Sequence, residues 1–332
     1  MIEKPRPHNG DTPSVTSNGD NNVLRVGIVG MGPVGCILAA HLIEAGANVL
    51  PCDVMVDRVD AIRKHGIRLS YTFDKTVPVN QVCYSPQELE TFDPELVVIS
   101  VKTPNLKSVI EQLAEIDSDK FYIMCAQNGI DNEMEVARVF GDERTMRMVI
   151  NYAGNMVNQY TVHASFFNPP NYIAPLLIEG GGTVATRLVS LLNQSGLTTE
   201  IPDDIQEYVW EKCMLNAALS AICAITRRTM KEVMDTPRSF DLVEALLDEC
   251  VRVAEMEGID VGKKFRRYSI RYLKNAGHHR PSMLVDLELG HPTEIDYLNG
   301  RIVEYGRKHC VPTPLNQSVT ALIYLLQNSN HR

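Results

Sequence analysis

The chain has no C-x-x-C pair, no run of 18 or more apolar residues and no surplus of basic charge. Each absence excludes something. The eight cysteines, at 36, 52, 83, 125, 213, 223, 250 and 310, are irregularly spaced and mostly lie inside apolar runs such as Met124-Cys125-Ala126. That pattern predicts small core residues in a reducing compartment, not a disulfide frame, and no metal site. Without a long apolar run, no membrane span and no membrane partner are expected. The 32 Lys and Arg against 41 Asp and Glu give a net charge of −9. This argues against nucleic acid and against an anionic membrane surface, since both call for clustered Lys and Arg. The first 22 residues, MIEKPRPHNGDTPSVTSNGDNN, lack the apolar stretch of a signal peptide and predict a disordered tail on a cytoplasmic protein.

What is present is an ordinary globular composition, 44% apolar and 22% charged, in 332 residues. That length predicts two domains. Order begins at Val23 with the apolar run Val23 to Val29, followed by a helical pattern over 34–46 ending at Gly46. Residues 47–53 read as a strand, 58–65 as a helix closed by Gly66, and 67–84 as a strand pair broken by Pro78. The β-branched run Leu96 to Val101 and the run Phe121 to Cys125 read as strands buried on both faces, with a helix over 107–113 between them. Alternating strand and helix predict a doubly wound α/β domain. Strand-like stretches over 145–178 are interrupted at Asn168-Pro169-Pro170-Asn171, and Gly180-Gly181-Gly182 introduces a helix over 183–195. Beyond Pro202 the pattern is helical: 204–226, 229–235, 238–257, 261–275, 282–287, 294–308 and 314–327. The expected division is a tail over 1–22, a dinucleotide-binding domain over 23–203 and an all-helical domain over 204–330.

Gly30-Met31-Gly32-Pro33-Val34-Gly35 is G-x-G-x-x-G. It follows a buried strand, opens a helix, and has Asp53 at the end of the next strand. In that setting the glycines allow a tight turn, close approach of a pyrophosphate and tight helix–strand packing, while the helix N-terminus supplies N–H groups and positive dipole. Asp53 favours NAD over NADP, because a carboxylate accepts hydrogen bonds from both ribose hydroxyls and repels a 2′-phosphate. Arg58, five residues on, is within reach of such a phosphate, and Asp53 also suits a turn before a helix. Lys102 and Asn128 follow the strands at 96–101 and 121–125. Ligands of open α/β sheets bind at those strand ends, although Lys102 also reads as a solvated loop lysine and Asn128-Gly129 as a turn.

Lys212, Asn216 and Ser220 are spaced i, i+4, i+8 on one face of a helix that is otherwise small or apolar nearly all round. Two readings stand at Lys212. A buried lysine needs a partner or a task, and burial lowers its pKa toward a proton donor's. Alternatively it snorkels to the surface. Further on, Ser282 can open a helix after Pro281. Thr293 reads as the N-cap of the helix over 294–308, which makes Glu294 a first-turn acid favoured by the helix dipole.

Taken together, Gly30 to Gly35, Val101-Lys102, Gln127-Asn128-Gly129, Trp210-Glu211-Lys212 with Asn216, Pro281 to Asp286, Thr293 to Gly300 and Val311 to Asn316 resemble the ketopantoate reductase (2-dehydropantoate 2-reductase) family. The resemblance spans about residues 23–327. It implies a Rossmann-like N-terminal domain and an all-α C-terminal domain like that of 6-phosphogluconate dehydrogenase. It further implies a homodimer, and a site between the domains where NAD(H) or NADP(H) reduces a 2-keto acid, by default 2-dehydropantoate to pantoate in pantothenate biosynthesis. By the same resemblance Lys212 is the general acid, and Glu294 helps hold that lysine, the substrate hydroxyl and the cofactor. Asn128, Asn216, Ser220 and Ser282 meet the substrate, and Asn128 and Lys102 lie near the nicotinamide. The residues Gly30, Met31, Gly32, Pro33, Val34, Gly35 and Asp53 hold the cofactor. Ser220 stands where family members often have a second Asn, and Arg227 and Arg228 replace smaller or neutral residues. Those departures leave room for another keto acid or an imine as substrate. Fold alone would also accommodate a non-catalytic nucleotide sensor.

Overall fold

A computed structural model describes residues 23–116, 121–262 and 264–329. The predicted tail over 1–22 lies outside the described residues. In chain order the elements of the first half are β1 (Arg25–Val29), α1 (Pro33–Glu44), β2 (Asn48–Cys52), α2 (Val56–His65), β3 (Ile67–Tyr71), β4 (Lys75–Val77), α3 (Leu89–Phe92), β5 (Leu96–Ile99), α4 (Leu106–Ala114), β6 (Tyr122–Cys125) and α5 (Asn132–Phe140). Next come β7 (Thr145–Val149), β8 (Tyr152–Met156), β9 (Thr161–Phe167), β10 (Asn171–Pro175), α6 (Ile178–Gln194) and β11 (Thr199–Glu200). The rest is helical: α7 (Ile205–Thr226), α8 (Met230–Asp235), α9 (Pro237–Glu257), α10 (Phe265–Lys274), α11 (Ser282–Glu288), α12 (Asn299–Lys308) and α13 (Pro314–Ser329).

The main sheet has the order β11-β10-β7-β6-β5-β1-β2. Strands β2, β1, β5, β6 and β7 are parallel, and β10 runs antiparallel to β7. The apolar runs of β1, β5 and β6 are buried on both faces, as strands covered by helices on each side must be. The chain leaves β1 toward β2 on one side and β5 on the other. This places a topological switch point beside β1, where open α/β sheets bind ligands.

The strand pair near residue 70 and the strands after residue 150 join in one second sheet, of order β4-β3-β9-β8. Helix α1 packs against the β3, β4, β8 and β9 strands of this sheet as well as against β1 and β2. Its residues Cys36 to Leu42 are therefore almost wholly buried. A helix covered on two sides carries apolar residues all round instead of one stripe.

Two expectations are corrected here. The glycine triplet does not precede its helix but lies inside the first turns of α6. A Cβ on Gly180 would sit 2.1 Å from the Glu143 carbonyl oxygen, and one on Gly181 would sit 2.6 Å from Pro175 Cβ. The triplet is there for close packing, and Tyr122 donates to the Gly180 carbonyl at 2.7 Å. The helix expected over 294–308 is broken. Ile295–Tyr297 form one 3₁₀ turn, and α12 starts only at Asn299. Thr293 is thus not its N-cap; its hydroxyl makes only a local contact, accepting from the Ile295 N–H at 3.4 Å. The break arises because the segment is bound elsewhere. The Thr293 N–H donates to Gln327, and the Tyr297 carbonyl accepts from the Ile130 N–H across from the first half.

Helix α7 is the spine of the second half and packs on α9, α11 and α13. It is long and apolar enough to cross a membrane, yet 67% of that stretch is buried in the fold, which is how a core helix passes the same test. A buried polar chain fixes its neighbours. Glu249 of α9 accepts the Leu315 and Asn316 N–H groups at the start of α13, both at 3.0 Å, and the Asn316 side-chain amide at 2.8 Å. Asn299 Nδ2 in turn reaches Asn316 Oδ1 and the Ala217 carbonyl on α7. Orphan N–H groups at a helix start are satisfied this way by a carboxylate that also complements the helix dipole.

Candidate active site

Three loops leave the carboxyl ends of β1, β5 and β6 side by side. The first is the glycine loop. Gly30 has φ +99°, and a Cβ there would stand 2.7 Å from the Val101 nitrogen. Only glycine takes that conformation without strain, and only hydrogen fits. A Cβ on Gly35 would lie 2.0 Å from the Gly30 carbonyl oxygen and 2.7 Å from Ser100 Oγ, and the Ser100 hydroxyl donates to that same carbonyl at 2.7 Å. Around Gly32, by contrast, nothing lies within 4 Å of where a Cβ would be. The face of Gly32 is open, and Pro33 stands in the first turn of α1, where its missing N–H costs nothing. A closed turn, an open second glycine and a helix start together fit the pyrophosphate of a dinucleotide.

Asp53 is buried at the end of β2, as its position implied, but its carboxylate is already engaged. One oxygen accepts the Met31 N–H at 2.7 Å and Arg58 Nη1 at 3.3 Å; the other accepts the Met55 N–H at 2.9 Å. The acid anchors the glycine loop and is paired with a guanidinium. Its charge is therefore partly neutralised where a 2′-phosphate would approach. Exposed Val54, Met55 and Val56 follow it.

Lys102 and Thr103 follow β5. Lys102 Nζ donates to Asp286 Oδ2 on α11 at 2.7 Å. Partial burial works to lower the pKa of this ammonium, but the Glu294 and Asp286 carboxylates outweigh it and leave the pKa raised. Thr103 is fully buried. Its N–H donates to Glu294 Oε1 at 3.3 Å, and its hydroxyl lies 3.0 Å from that oxygen and 3.3 Å from the Asn128 carbonyl. Having one proton, the hydroxyl serves one of these acceptors at a time. Thr103 thus ties the β5 loop both to the β6 loop and to Glu294 of the helical half.

From the helical half comes α7. Lys212 and Asn216 are half-buried on it and Ser220 is buried. Among the described residues no carboxylate pairs with Lys212, and burial alone brings its pKa from 10.5 down to about 8. His279 lies near enough to be affected: its pKa is lowered by burial and further by the Lys212 ammonium. Ser282 is exposed at the first residue of α11.

Glu294 departs from expectation. It is buried, but its hydrogen bonds run to Thr103 and not to Lys212. The break before α12 turns its side chain toward the β5 loop, so it is neither a first-turn helix acid nor a partner of Lys212 in this structure. Arg227 takes the left-handed conformation (φ 54°) after α7 and is exposed, while Arg228 pairs with Glu232 at 3.1 Å on the surface. Both are solvated at a helix end. Sequence reasoning missed Thr103, Asp286 and His279 as members of this junction, and also Arg147, buried within β7. A charged residue inside the apolar run Thr145 to Val149 was the available signal for the last. Among the described residues no group of three or more His, Cys, Asp or Glu is placed to hold a metal.

Comparison with known proteins agrees with this architecture. Residues 26–176 match the family model described as ketopantoate reductase PanE/ApbA, and residues 204–327 match that of its C-terminal part. The 2-dehydropantoate 2-reductase of Archaeoglobus fulgidus is 28% identical over 308 residues, 91% of this chain and 97% of that protein. A PanE/ApbA family ketopantoate reductase of Ralstonia eutropha superposes with a TM-score of 0.83 at 25% identity, over 93% of this chain and all of the other. D-mandelate dehydrogenase, in a ternary structure with NADH and anilino(oxo)acetate, superposes equally well (TM-score 0.83, 24% identity, 93% and 100% covered).

Proposed function

We propose, from the premise that the chain belongs to the ketopantoate reductase family, that it reduces a 2-keto acid to the 2-hydroxy acid with Lys212 as proton donor. Members of this family are NAD(P)-dependent oxidoreductases acting on a keto group. The default substrate is 2-dehydropantoate. The observation that carries the reading is Lys212 itself: an ammonium half-buried on α7, with no carboxylate partner among the described residues, its pKa brought down by burial to about 8. Near neutral pH such a group is still mostly protonated but gives up its proton readily.

The glycine loop, the start of α1 and Asp53 would hold the dinucleotide. When bound, the nicotinamide supplies the hydride. As the carbonyl carbon gains the hydride, its oxygen gains negative charge. The Lys212 ammonium stabilises that charge and transfers one proton to the oxygen, which leaves a hydroxyl and a neutral amine. The amine then regains a proton from solvent. Asn128, Asn216, Ser220 and Ser282, with Lys102, would fix the keto acid and its carboxylate. Lys102 is held by Asp286 in this structure, so its use by an anionic substrate requires exchange of one carboxylate for another. Glu294 acts through Thr103, holding the β5 and β6 loops together.

For the cofactor, Asp53 favours NADH, moderated by the Arg58 pairing. The experiment is reduction of a panel of 2-keto acids, alkyl and aryl, each with NADH and with NADPH. Turnover of 2-dehydropantoate well above the other acids is the expected result. Turnover of an aryl keto acid alone would move the substrate toward that of the D-mandelate dehydrogenase neighbour, and no ketone reduction at all would sink the reading in favour of a nucleotide-binding protein without catalysis.

A further inference from the structure

Arg147 sits in the middle of β7, in a strand whose every residue is buried, and is itself only 2% exposed. A cation in a sheet interior must be paired and hydrogen-bonded, or it would not remain charged there. Its guanidinium is used in two directions. Nη2 donates to the carbonyls of Gln127 at 2.9 Å and Gly129 at 2.7 Å. Those two residues flank Asn128. Nη1 lies 3.1 Å from Glu133 Oε2 in the first turn of α5. Glu133 Oε1 accepts from Gln206 Nε2 at 2.8 Å, and Gln206 is in the first turn of α7, the helix that carries Lys212.

Beside the arginine, the Asn128 carbonyl accepts from Asn132 Nδ2 at 2.7 Å and lies 3.3 Å from the Thr103 hydroxyl. The Gln127 side-chain amide is buried with neither of its polar atoms hydrogen-bonded. On the opposite side Gly129, at φ +101°, is pressed against the Tyr297 carbonyl, which accepts the Ile130 N–H at 3.1 Å. The carbonyls on either side of Asn128 are thus held by Arg147 and its own carbonyl by Asn132, while Tyr297 closes in on Gly129. Replacing a buried ion pair by apolar side chains is commonly neutral or stabilising, so stability alone does not account for the pair. A planar fork that binds two carbonyls at once does account for a fixed turn.

We propose that Arg147 is a positioning residue of the Gln127–Gly129 turn and, through Glu133 and Gln206, sets the distance between Asn128 and the Lys212 helix. The catalytic consequence rests on the function proposed above; the structural one does not. The test is a chain carrying Arg147→Met and Glu133→Leu together, which leaves no lone charge buried, with Arg147→Lys as a second variant that keeps the charge but loses the fork. Two measurements are made: hydrogen exchange of the amides of residues 128–130 against those of β5, and steady-state kinetics with the best keto acid.

The double variant is expected to keep a cooperative melt and to exchange at 128–130 about tenfold faster than wild type, with β5 unchanged, the pattern of a local opening. Its kcat should fall about 10- to 100-fold with little change in KM, as a misplaced reacting geometry does, and Arg147→Lys should lie between. Exchange at 128–130 equal to wild type, or loss of protection throughout the main sheet, would overturn the proposal. So would faster local exchange with unchanged kcat. If the double variant fails to fold, exchange in Arg147→Lys decides by the same criteria. If wild type reduces no keto acid, the function reading fails while the exchange result still decides the positioning role.

Discussion

The glycine-loop side of the junction and the α7 side are built on opposite terms. On the first, polar groups answer one another: Asp53 accepts three hydrogen bonds and Ser100 closes the Gly30 carbonyl. On the second, Lys212 has no carboxylate partner among the described residues, and burial alone sets its pKa. Groups already satisfied hold a shape; a half-buried cation without a carboxylate partner gains most when an anion or a developing negative charge arrives.

That contrast can be broken first at Lys212. Lys212→Ala should lower kcat by about 10²-fold or more, within the range of general acid catalysis, while nicotinamide cofactor titration stays near wild type. In the unaltered protein, kcat/KM should hold below pH 8 and decline above it, because the ammonium that stabilises the oxygen is lost as pH rises through about 8. A profile flat to pH 10 would mean that Lys212 keeps an ordinary lysine pKa, and a rate unaffected by Lys212→Ala would remove it from the mechanism.

On the satisfied side the largest effect belongs to Gly35→Ala. Its Cβ meets the Gly30 carbonyl at 2.0 Å, so either the turn or the helix must shift. A loss of about 1–3 kcal/mol in denaturant unfolding is expected from overpacking, together with weaker cofactor binding. A variant that melts and binds like wild type would show that the turn is not closed as described.

Asp53→Asn is a smaller perturbation. It removes a charge from the Arg58 pair and should raise the NADPH to NADH ratio of kcat/KM by about fivefold, the scale of a partly screened ion pair. A ratio unchanged by Asp53→Asn would place cofactor choice elsewhere. Smallest of all is Arg228→Ala. Its pair with Glu232 is exposed, so stability should stay within about 0.5 kcal/mol. A marked loss of keto acid turnover would return this arginine to the site.

Much of the N-terminal half was legible because its signals are local. The run Leu96 to Val101 and the glycine motif report strand burial and turn shape within a few residues, and both lie where expected. The spacing of Lys212, Asn216 and Ser220 likewise placed them on one helix. Other features could not be read locally. Thr293-Glu294 carries the signature of a helix start, yet the helix is deferred to Asn299 because Thr103, Ile130 and Gln327 compete for its polar groups. Gly180-Gly181-Gly182 looks like a loop, yet contacts with Glu143 and Pro175 draw it into α6. The joining of β3 and β9, 92 positions apart at Ser70 and the Val162 carbonyl, has no local signal at all.

By itself, then, the sequence determined the alternation of strand and helix, the dinucleotide turn and the buried helix with its one lysine. Each of these follows from side-chain size, periodicity and backbone freedom within a short window. Only the tertiary structure decided which polar groups are spent and which are free. Asp53, expected to meet the cofactor ribose, was taken up by the Met31 and Met55 N–H groups, Glu294 by Thr103, and Arg147 by the turn around Asn128. Hydrogen bonding and burial are settled between segments far apart in the chain, which no short window of sequence reports.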